Sequence, residues 1–481
     1  MKGLRFNRSW RQPGLWVLMI AAVVLLAAMR AGAAEGSSKR MNVIVMLVDD
    51  LGWTDLSCFG SRYYETPNLD RLASEGMRFT NAYSACTVCS PTRACILTGQ
   101  YPARLHITDW IAGHKRPHAK MKVPEWTMHL ATDIPNVAKA LKTAGYATAS
   151  IGKWHLGEEA YWPEKQGFDL NVAGNHRGQP PSYFSPYKME NLSEGPDGEF
   201  LSDRLTTEAI QFIEKNKERP FFVYFPHYAV HTPVMSKAAA IEKYKAKSDP
   251  RGVHKDAKYA GLIESVDESV GRLLAKLEEL KLSENTLIVF TSDNGGLIGV
   301  TRNDPLRVGK GSAYDGGVRV PLIVRWPGVT RAGSVSETPV FTADYLPTIL
   351  EATGANWDSG AVLDGVSLKP VLSGSEALKR DAIYWHYPHY HPGGATPYGA
   401  VREGDFRLVE FYEDGRVELY NLREDVGETR DLAKENPGKA EVLLTKLRAW
   451  RKSVSAQMPT PNPDYDPEKD NARPVRKKEA R

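Results

Sequence analysis

The chain has 481 residues, of which 42% are hydrophobic, 25% charged and 10% aromatic, with four cysteines. That length supports one large α/β domain and a smaller one, the composition excludes a wholly disordered chain, and so few cysteines exclude a disulfide-stapled scaffold. The formal charge of +4 originates at the amino terminus: five of the 62 basic residues and none of the 58 acidic ones lie in residues 1–34, so the remainder carries a formal −1 and offers no general attraction to nucleic acid.

Lys2, Arg5, Arg8 and Arg11 precede a 15-residue apolar run, 15–29, and Ala31-Gly-Ala33 supplies small residues for cleavage. This order predicts a secretory signal peptide over 1–34 rather than a membrane anchor, because about 20 apolar residues are needed to cross a bilayer. The expectation is an exported protein, periplasmic or secreted, with no stable membrane insertion after cleavage.

The run 42–48 is almost uniformly apolar and β-branched, the pattern of a strand buried on both faces. Similar runs at 147–151, 221–225, 286–291 and 320–325 predict further strands. Between them, 67–75, 134–144, 201–216 and 259–280 read as helices; the last carries Leu262, Val266, Val270, Leu273, Leu274 and Leu277 on one face. Strands alternating with helices predict an α/β sandwich, a largely parallel sheet with helices on both faces, over 40–378. From 379 to 455 the texture changes: 407–412 and 417–422 flank the turn signal Glu413-Asp-Gly415, and 437–453 reads as a helix packed on that hairpin. The segment 456–481 has no hydrophobic period and is expected to be flexible or to wrap the surface.

Two acidic pairs follow apolar strands. Asp49-Asp50 ends the first, and Asp293-Asn294 ends the run 286–291 and its short polar extension. Adjacent carboxylates at a strand end are costly unless solvated or bound to a cation, and either pair alone is equally readable as a polar turn. Parallel strands bring such ends to one edge of the sheet. Three carboxylates and an amide oxygen are hard ligands, suited to calcium or magnesium rather than zinc.

The segment Cys86-Thr-Val-Cys89-Ser-Pro-Thr-Arg93-Ala-Cys95-Ile-Leu-Thr-Gly99 contains Cys-x-Pro-x-Arg followed by Leu-Thr-Gly. A redox Cys-x-x-Cys pair or a zinc site would leave Pro91 and Arg93 unexplained. The segment resembles the formylglycine-dependent sulfatases of the alkaline-phosphatase superfamily. Further motifs in the order of that family are the stretch 66–83, Gly152-Lys-Trp-His-Leu-Gly157, Val230-His-Thr-Pro233, Ser292-Asp-Asn294 and the stretch 309–321, so the resemblance spans roughly residues 42 to 450. It implies an alkaline-phosphatase-like fold. It also implies that a formylglycine-generating enzyme acts during maturation to convert Cys89 to 3-oxoalanine (formylglycine). Asp49, Asp50, Asp293 and Asn294, with the modified Cys89, would hold one divalent cation, calcium or else magnesium. Arg93 would orient the nucleophile, Lys153 and Lys310 would bind sulfate, and His155 and His231 would transfer protons.

The chemistry is coherent on physical grounds. An aldehyde hydrate carries two hydroxyls on one carbon; one attacks sulfur and releases the alcohol, and the second loses its proton as the aldehyde reforms and sulfate leaves. Clustered positive charge stabilises the redistribution of negative charge. The segment 384–394, read as a loop, holds His386, His389 and the four aromatic rings of Tyr384, Trp385, Tyr387 and Tyr390, which suit a sugar or equally a domain interface. Asp109 and Trp110, shortly after the nucleophile motif, and His176 and Arg177, between the two histidine motifs, are further candidates for contacting substrate. With export, these favour a sulfated carbohydrate, and the aromatic pattern resembles enzymes acting on galactose or N-acetylgalactosamine sulfates. A phosphomonoesterase or phosphodiesterase of the same superfamily and a non-catalytic sulfoglycan-binding protein remain the alternatives. Cys58, Cys86 and Cys95 have no assigned task, and no disulfide pairing among them can be chosen.

Overall fold

The run Asn42–Val48 forms the central strand of the structure, a computed structural model that describes Gly3 and residues 40–357, 360–375 and 377–470. The signal peptide expected over 1–34 lies outside the described residues, Gly3 apart, as does the end of the tail from residue 471. Eight strands make the main sheet: β1 (Asn42–Val48), β2 (Met77–Phe79), β3 (Ala147–Ile151), β4 (Leu170–Val172), β5 (Phe221–Pro226), β6 (Thr286–Ser292), β7 (Leu322–Arg325) and β8 (Ser334–Ser336). They lie in the order β8-β2-β7-β6-β1-β5-β3-β4. The five from β6 to β4 are mutually parallel, and β7 runs antiparallel to both neighbours.

The principal helices are α1 (Pro67–Glu75), α2 (Cys89–Thr98), α3 (Leu201–Lys215), α4 (Ala257–Glu279), α5 (Tyr345–Thr353) and α6 (Pro437–Ser453). Strand side chains alternate between faces, so β1 feeds two cores at once. Ile44, Met46 and Val48 pack with Leu205 and Ile213 of α3 and with Val266 and Val270 of α4. Val43, Val45 and Leu47 pack on the other side with Ile96 and Leu97 of α2 and Leu346 and Ile349 of α5. A strand covered on both faces leaves no position for a polar residue until it emerges, which is where Asp49 stands.

The carboxy-terminal sheet is antiparallel, with β9 (Ile383–Tyr387), β10 (Tyr398–Glu403), β11 (Phe406–Phe411) and β12 (Val417–Asn421) in that order. Leu443, Leu447 and Trp450 of α6 close its core against Trp385, Val401 and Leu408. The loop expected from 384 begins instead as β9. Ile383, Trp385 and Tyr387 alternate into the core, a period-2 signal that the neighbouring histidines and prolines obscured. The described part of the tail wraps the surface: Thr460–Pro461 pairs with Met121–Lys122, and Asn462 Nδ2 donates to the carbonyls of Pro117 and Ala119. Among the described residues, no helix is long and apolar enough to cross a membrane.

Candidate active site

Val48 lies opposite Ser292 in the β1–β6 register, so Asp49 and Asp293 leave the sheet side by side. Lys153 and His155 follow β3, and His231 follows β5, at the same edge. Ligand atoms of Asp49, Cys89 and Asp293 all lie within 4.8 Å of one another, as do those of Asp49, Asp50 and His231.

Three buried carboxylates meet three buried cations. Lys153 Nζ donates to Asp49 Oδ2 at 2.7 Å, and Lys310 Nζ donates to Asp50 Oδ2 at 2.8 Å. Arg93 donates to Asp293 Oδ2 and, through Nη1, to the Lys153 carbonyl at 3.0 Å. Burial is the largest influence on Asp49 and pushes its carboxyl up to about 8, even with Lys153 and Arg93 beside it. The Asp50 and Asp293 carboxyls are penalised by burial too, but Lys310 holds the first, and Arg93 with Lys153 the second, below the ordinary range.

The donor set fits a hard divalent cation. Asp49 Oδ1 and Asn294 Oδ1 are buried without a hydrogen-bond partner. Asn294 Nδ2 donates to Asp50 Oδ1 at 2.8 Å and to the Gly295 carbonyl at 3.0 Å, which fixes the other amide atom as an oxygen. Orphaned buried oxygens beside carboxylates are what an oxygen-seeking ion requires. Asp50 itself sits at φ +62°, a left-handed conformation costing about 1–3 kcal/mol in a non-glycine residue. Its neighbours hold it there: Asp293 Oδ1 accepts from Asp50 N at 3.2 Å, and Tyr259 Oη donates to the Asp50 carbonyl at 3.3 Å.

Cys89 is the first residue of α2, buried, and burial raises its thiol pKa while Lys153 and Lys310 act in the opposite direction. All four cysteines are free thiols, so no disulfide joins Cys58, Cys86 or Cys95. Ser90 ties three walls together: its Oγ donates to the His155 carbonyl at 2.9 Å and accepts from Ile111 N at 3.2 Å.

The two histidines present different nitrogens. His155 Nε2 donates to the Ile111 carbonyl, which leaves Nδ1 unprotonated, buried and unpartnered. Burial first, then Lys153, keeps this ring neutral, well below its ordinary pKa. His231 Nδ1 donates to the Thr232 carbonyl at 2.9 Å, and its Nε2 lies 3.6 Å from Asp50 Oδ2. Burial, assisted by Lys310, lowers its pKa to about 3.

The remaining candidates fall around this centre. Asp109 is buried and accepts from Tyr387 Oη at 2.7 Å; His389 is buried, with Nε2 2.8 Å from Thr108 Oγ1. Trp110 is partly buried against the carboxy-terminal core. His176 lies 3.6 Å from Glu158, and Arg177 pairs with Glu190 at 2.9 Å; both are partly exposed. The next residue, Gly178, packs on the His155 ring. His386 has both ring nitrogens engaged, by Tyr412 Oη and by the Gln457 carbonyl, which ties it to the tail-facing side of β9. The structure instead brings His391 against Gly311, next to Lys310. The histidine-rich segment has no period in its sequence that singles out His391 among its members. Ser90 was visible only as a variable position inside the nucleophile motif.

The Sulfatase family model matches residues 41–355, and the N-sulphoglucosamine sulphohydrolase C-terminal model matches 308–453. A "Sulfatase" from Formosa agariphila is 35% identical, covering 86% of this chain and 89% of that protein. The N-acetylgalactosamine-6-sulfatase of Canis lupus familiaris is 33% identical, covering 76% of this chain and 72% of its own. The crystal structure of Ps i-CgsB in complex with k-i-k-neocarrahexaose aligns with a TM-score of 0.74 at 29% identity, covering 89% of this chain and 95% of the other.

Proposed function

We propose that this chain, which belongs to the sulfatase family and is a sulfuric ester hydrolase, removes sulfate from carbohydrates through a nucleophile made from Cys89 beside one calcium or magnesium ion. The observation that carries the reading is the meeting of Cys89, Asp49 and Asp293 within 4.8 Å, ringed by Arg93, Lys153 and Lys310. The N-acetylgalactosamine-6-sulfatase relative and the Ps i-CgsB complex with an oligosaccharide support a carbohydrate substrate.

Asp49, Asp50, Asp293 and Asn294 would hold the ion, which supplies positive charge to the sulfate oxygens and offsets the crowding of carboxylates. Converted to formylglycine, Cys89 would supply a hydrated aldehyde with one hydroxyl to attack sulfur and another to drive release of sulfate. Lys153 and Lys310 would grip the sulfate oxygens, exchanging part of their contact with Asp49 and Asp50 for the substrate. Arg93 is fully buried and donates two hydrogen bonds to Asp293 Oδ2, so its role is to orient the anionic floor of the site rather than to move.

His155 Nδ1 is the available base, because its other nitrogen is committed to Ile111. His231 begins neutral, and an anionic sulfate ester beside Nε2 raises its affinity for a proton. It would then pass that proton to the departing sugar oxygen.

Mass spectrometry of the native peptide spanning residues 78–93 tests the nucleophile: replacement of the thiol by an aldehyde is expected, and a fully active enzyme that keeps the thiol overturns the reading. Cys89→Ala should abolish turnover of an aryl sulfate. Faster cleavage of the matching aryl phosphate would favour a phosphatase instead. Export with cleavage near residue 33 or 34 completes the proposal, and the amino-terminal sequence of the native protein checks it.

A further inference from the structure

A cavity of about 570 Å³ opens beside the catalytic centre, between the segment that carries Lys310 and the hairpin β11–β12. Its size is within the roughly 300–1,000 Å³ of small-ligand sites. The wall it shares with the centre is built by close backbone packing. Ala395 N donates to the Gly311 carbonyl at 2.9 Å, and a side chain on Gly311, at φ +71°, would lie 1.7 Å from His391 Nδ1. Gly393 also approaches the Lys310 carbonyl so closely that a Cβ would lie 2.3 Å from it. Lys310 is therefore packed directly against the segment that lines the cavity.

We propose that this cavity is a subsite for an uncharged sugar unit adjoining the sulfated one, so that the natural substrate is at least a disaccharide. The inference rests on the sulfatase reading of the catalytic centre. Three arginines and three carboxylates line the cavity: Arg116, Arg307 and Arg416 with Glu413, Asp414 and Glu418. Equal numbers of each sign give no net attraction for a second anion, whereas interleaved donors and acceptors match the hydroxyls of a neutral sugar. Aromatic surface accompanies them. The Arg307 guanidinium lies 3.7 Å from the Tyr314 ring centre, and that of Arg416 lies 4.0 Å from Phe411, so the arginines are stacked on the aromatic rings of the lining.

One lining group retains hydrogen-bonding capacity. His391 Nδ1 accepts from Gly393 N at 2.9 Å, so the proton of the neutral ring is on Nε2, a donor at the boundary between cavity and centre.

The test measures inhibition of aryl sulfate turnover by three saccharides: galactose 6-sulfate, the same unit β-linked to N-acetylglucosamine, and the same unit linked to glucuronate. Aryl sulfate turnover by the native parent enzyme reports on the sulfatase reading separately; its absence would sink that reading, not the cavity alone. The neutral disaccharide is expected to inhibit at about tenfold lower concentration than the monosaccharide, the equivalent of about 1.4 kcal/mol. The glucuronate disaccharide is expected to gain less than half of that factor. In Asp414→Ala and Arg416→Ala the ratio of monosaccharide to neutral-disaccharide inhibition constants should fall toward one. Equal inhibition by all three saccharides, no inhibition by any of them in an enzyme that turns over aryl sulfate, a preference for glucuronate, or an unchanged ratio in both variants would each overturn the proposal.

Discussion

Arg93 directs two donors, Nε at 3.0 Å and Nη2 at 2.7 Å, at one oxygen of Asp293, Oδ2. The other oxygen is left to the Asp50 backbone N–H at 3.2 Å. One side chain thereby sets the orientation of a carboxylate and, through it, of the left-handed residue that carries the next one. A lysine could preserve the charge but not the two-point grip, because its ammonium is a single charge on a flexible stem. Arg93→Lys is expected to lower aryl sulfate turnover by at least about 100-fold, the scale of losing one preorganised electrostatic contact. Arg93→Ala should also destabilise the fold by about 3–5 kcal/mol, since Asp293 and Asp49 would lose a buried partner. Chemical denaturation and steady-state kinetics on both variants separate the effects; turnover at the level of the parent in Arg93→Lys would contradict an orienting role.

Asn294 offers a cleaner probe of the cation. Its Oδ1 is buried and unpartnered, while its Nδ2 steadies Asp50. Asn294→Ala should weaken calcium binding at least tenfold in a calorimetric titration. Calcium at about 100 times its dissociation constant should stabilise the parent by about 2.7 kcal/mol, through preferential binding to the folded state. The variant should show a clearly smaller rise in thermal midpoint at the same calcium concentration. Identical rises would remove Asn294 from the ligand set.

Much of this architecture could be read before any coordinates were considered, and for a definite reason. A strand such as 42–48, hydrophobic at every position after Asn42, can only be buried on both faces, and a pair of carboxylates at its end must then sit at the edge of a parallel sheet. The same reasoning reaches Asp293. It fails where the signal is tertiary. The Oγ of Ser90 donates to a carbonyl 65 positions away, that of His155, and His391 packs on Gly311, 80 positions away. No local period marks them. The segment 384–394 failed for a different reason. Its alternating aromatic residues are a strand signal, but Pro388 and Pro392 make the whole stretch resemble a loop, and His386 therefore looked available when its ring is closed off by Tyr412 and Gln457.

Gly178 packs against the His155 ring at the end that bonds to Ile111. A Cβ placed there would lie 2.7 Å from His155 Cε1 and 2.9 Å from Nε2. The ring has no retreat: Nε2 is bonded to the Ile111 carbonyl, and the backbone N–H, at a residue with φ +60°, donates to the Asn175 carbonyl at 3.0 Å. Gly178→Ala is expected to lower kcat by about tenfold or more, because small displacements of a positioned proton-transfer group have large effects on rate. Metal content should be unchanged, since none of the proposed ligands touches Gly178. A variant with unaltered kcat would show that the ring's position does not limit turnover.

Asp109 gives the fold a pH dependence of determinable sign. Burial raises its carboxyl from the usual 3.8 to about 7, against the opposing hydrogen bonds from Tyr387 Oη and Trp110 N. A folded-state value above the unfolded one means that the folded chain holds the proton more tightly. The corresponding stabilisation is complete below pH 3.8 and is lost as the pH rises through 7. A difference of about three pKa units corresponds to an effect on the order of 4 kcal/mol. Asp109→Asn keeps an oxygen for Tyr387 and Trp110 but carries no charge at any pH. Its stability relative to the parent should therefore increase in urea denaturation from pH 5 up to about pH 7 and level off between there and pH 8. A constant difference across that range would mean that folded Asp109 is ionised throughout, and that its hydrogen bonds, rather than its burial, decide its charge.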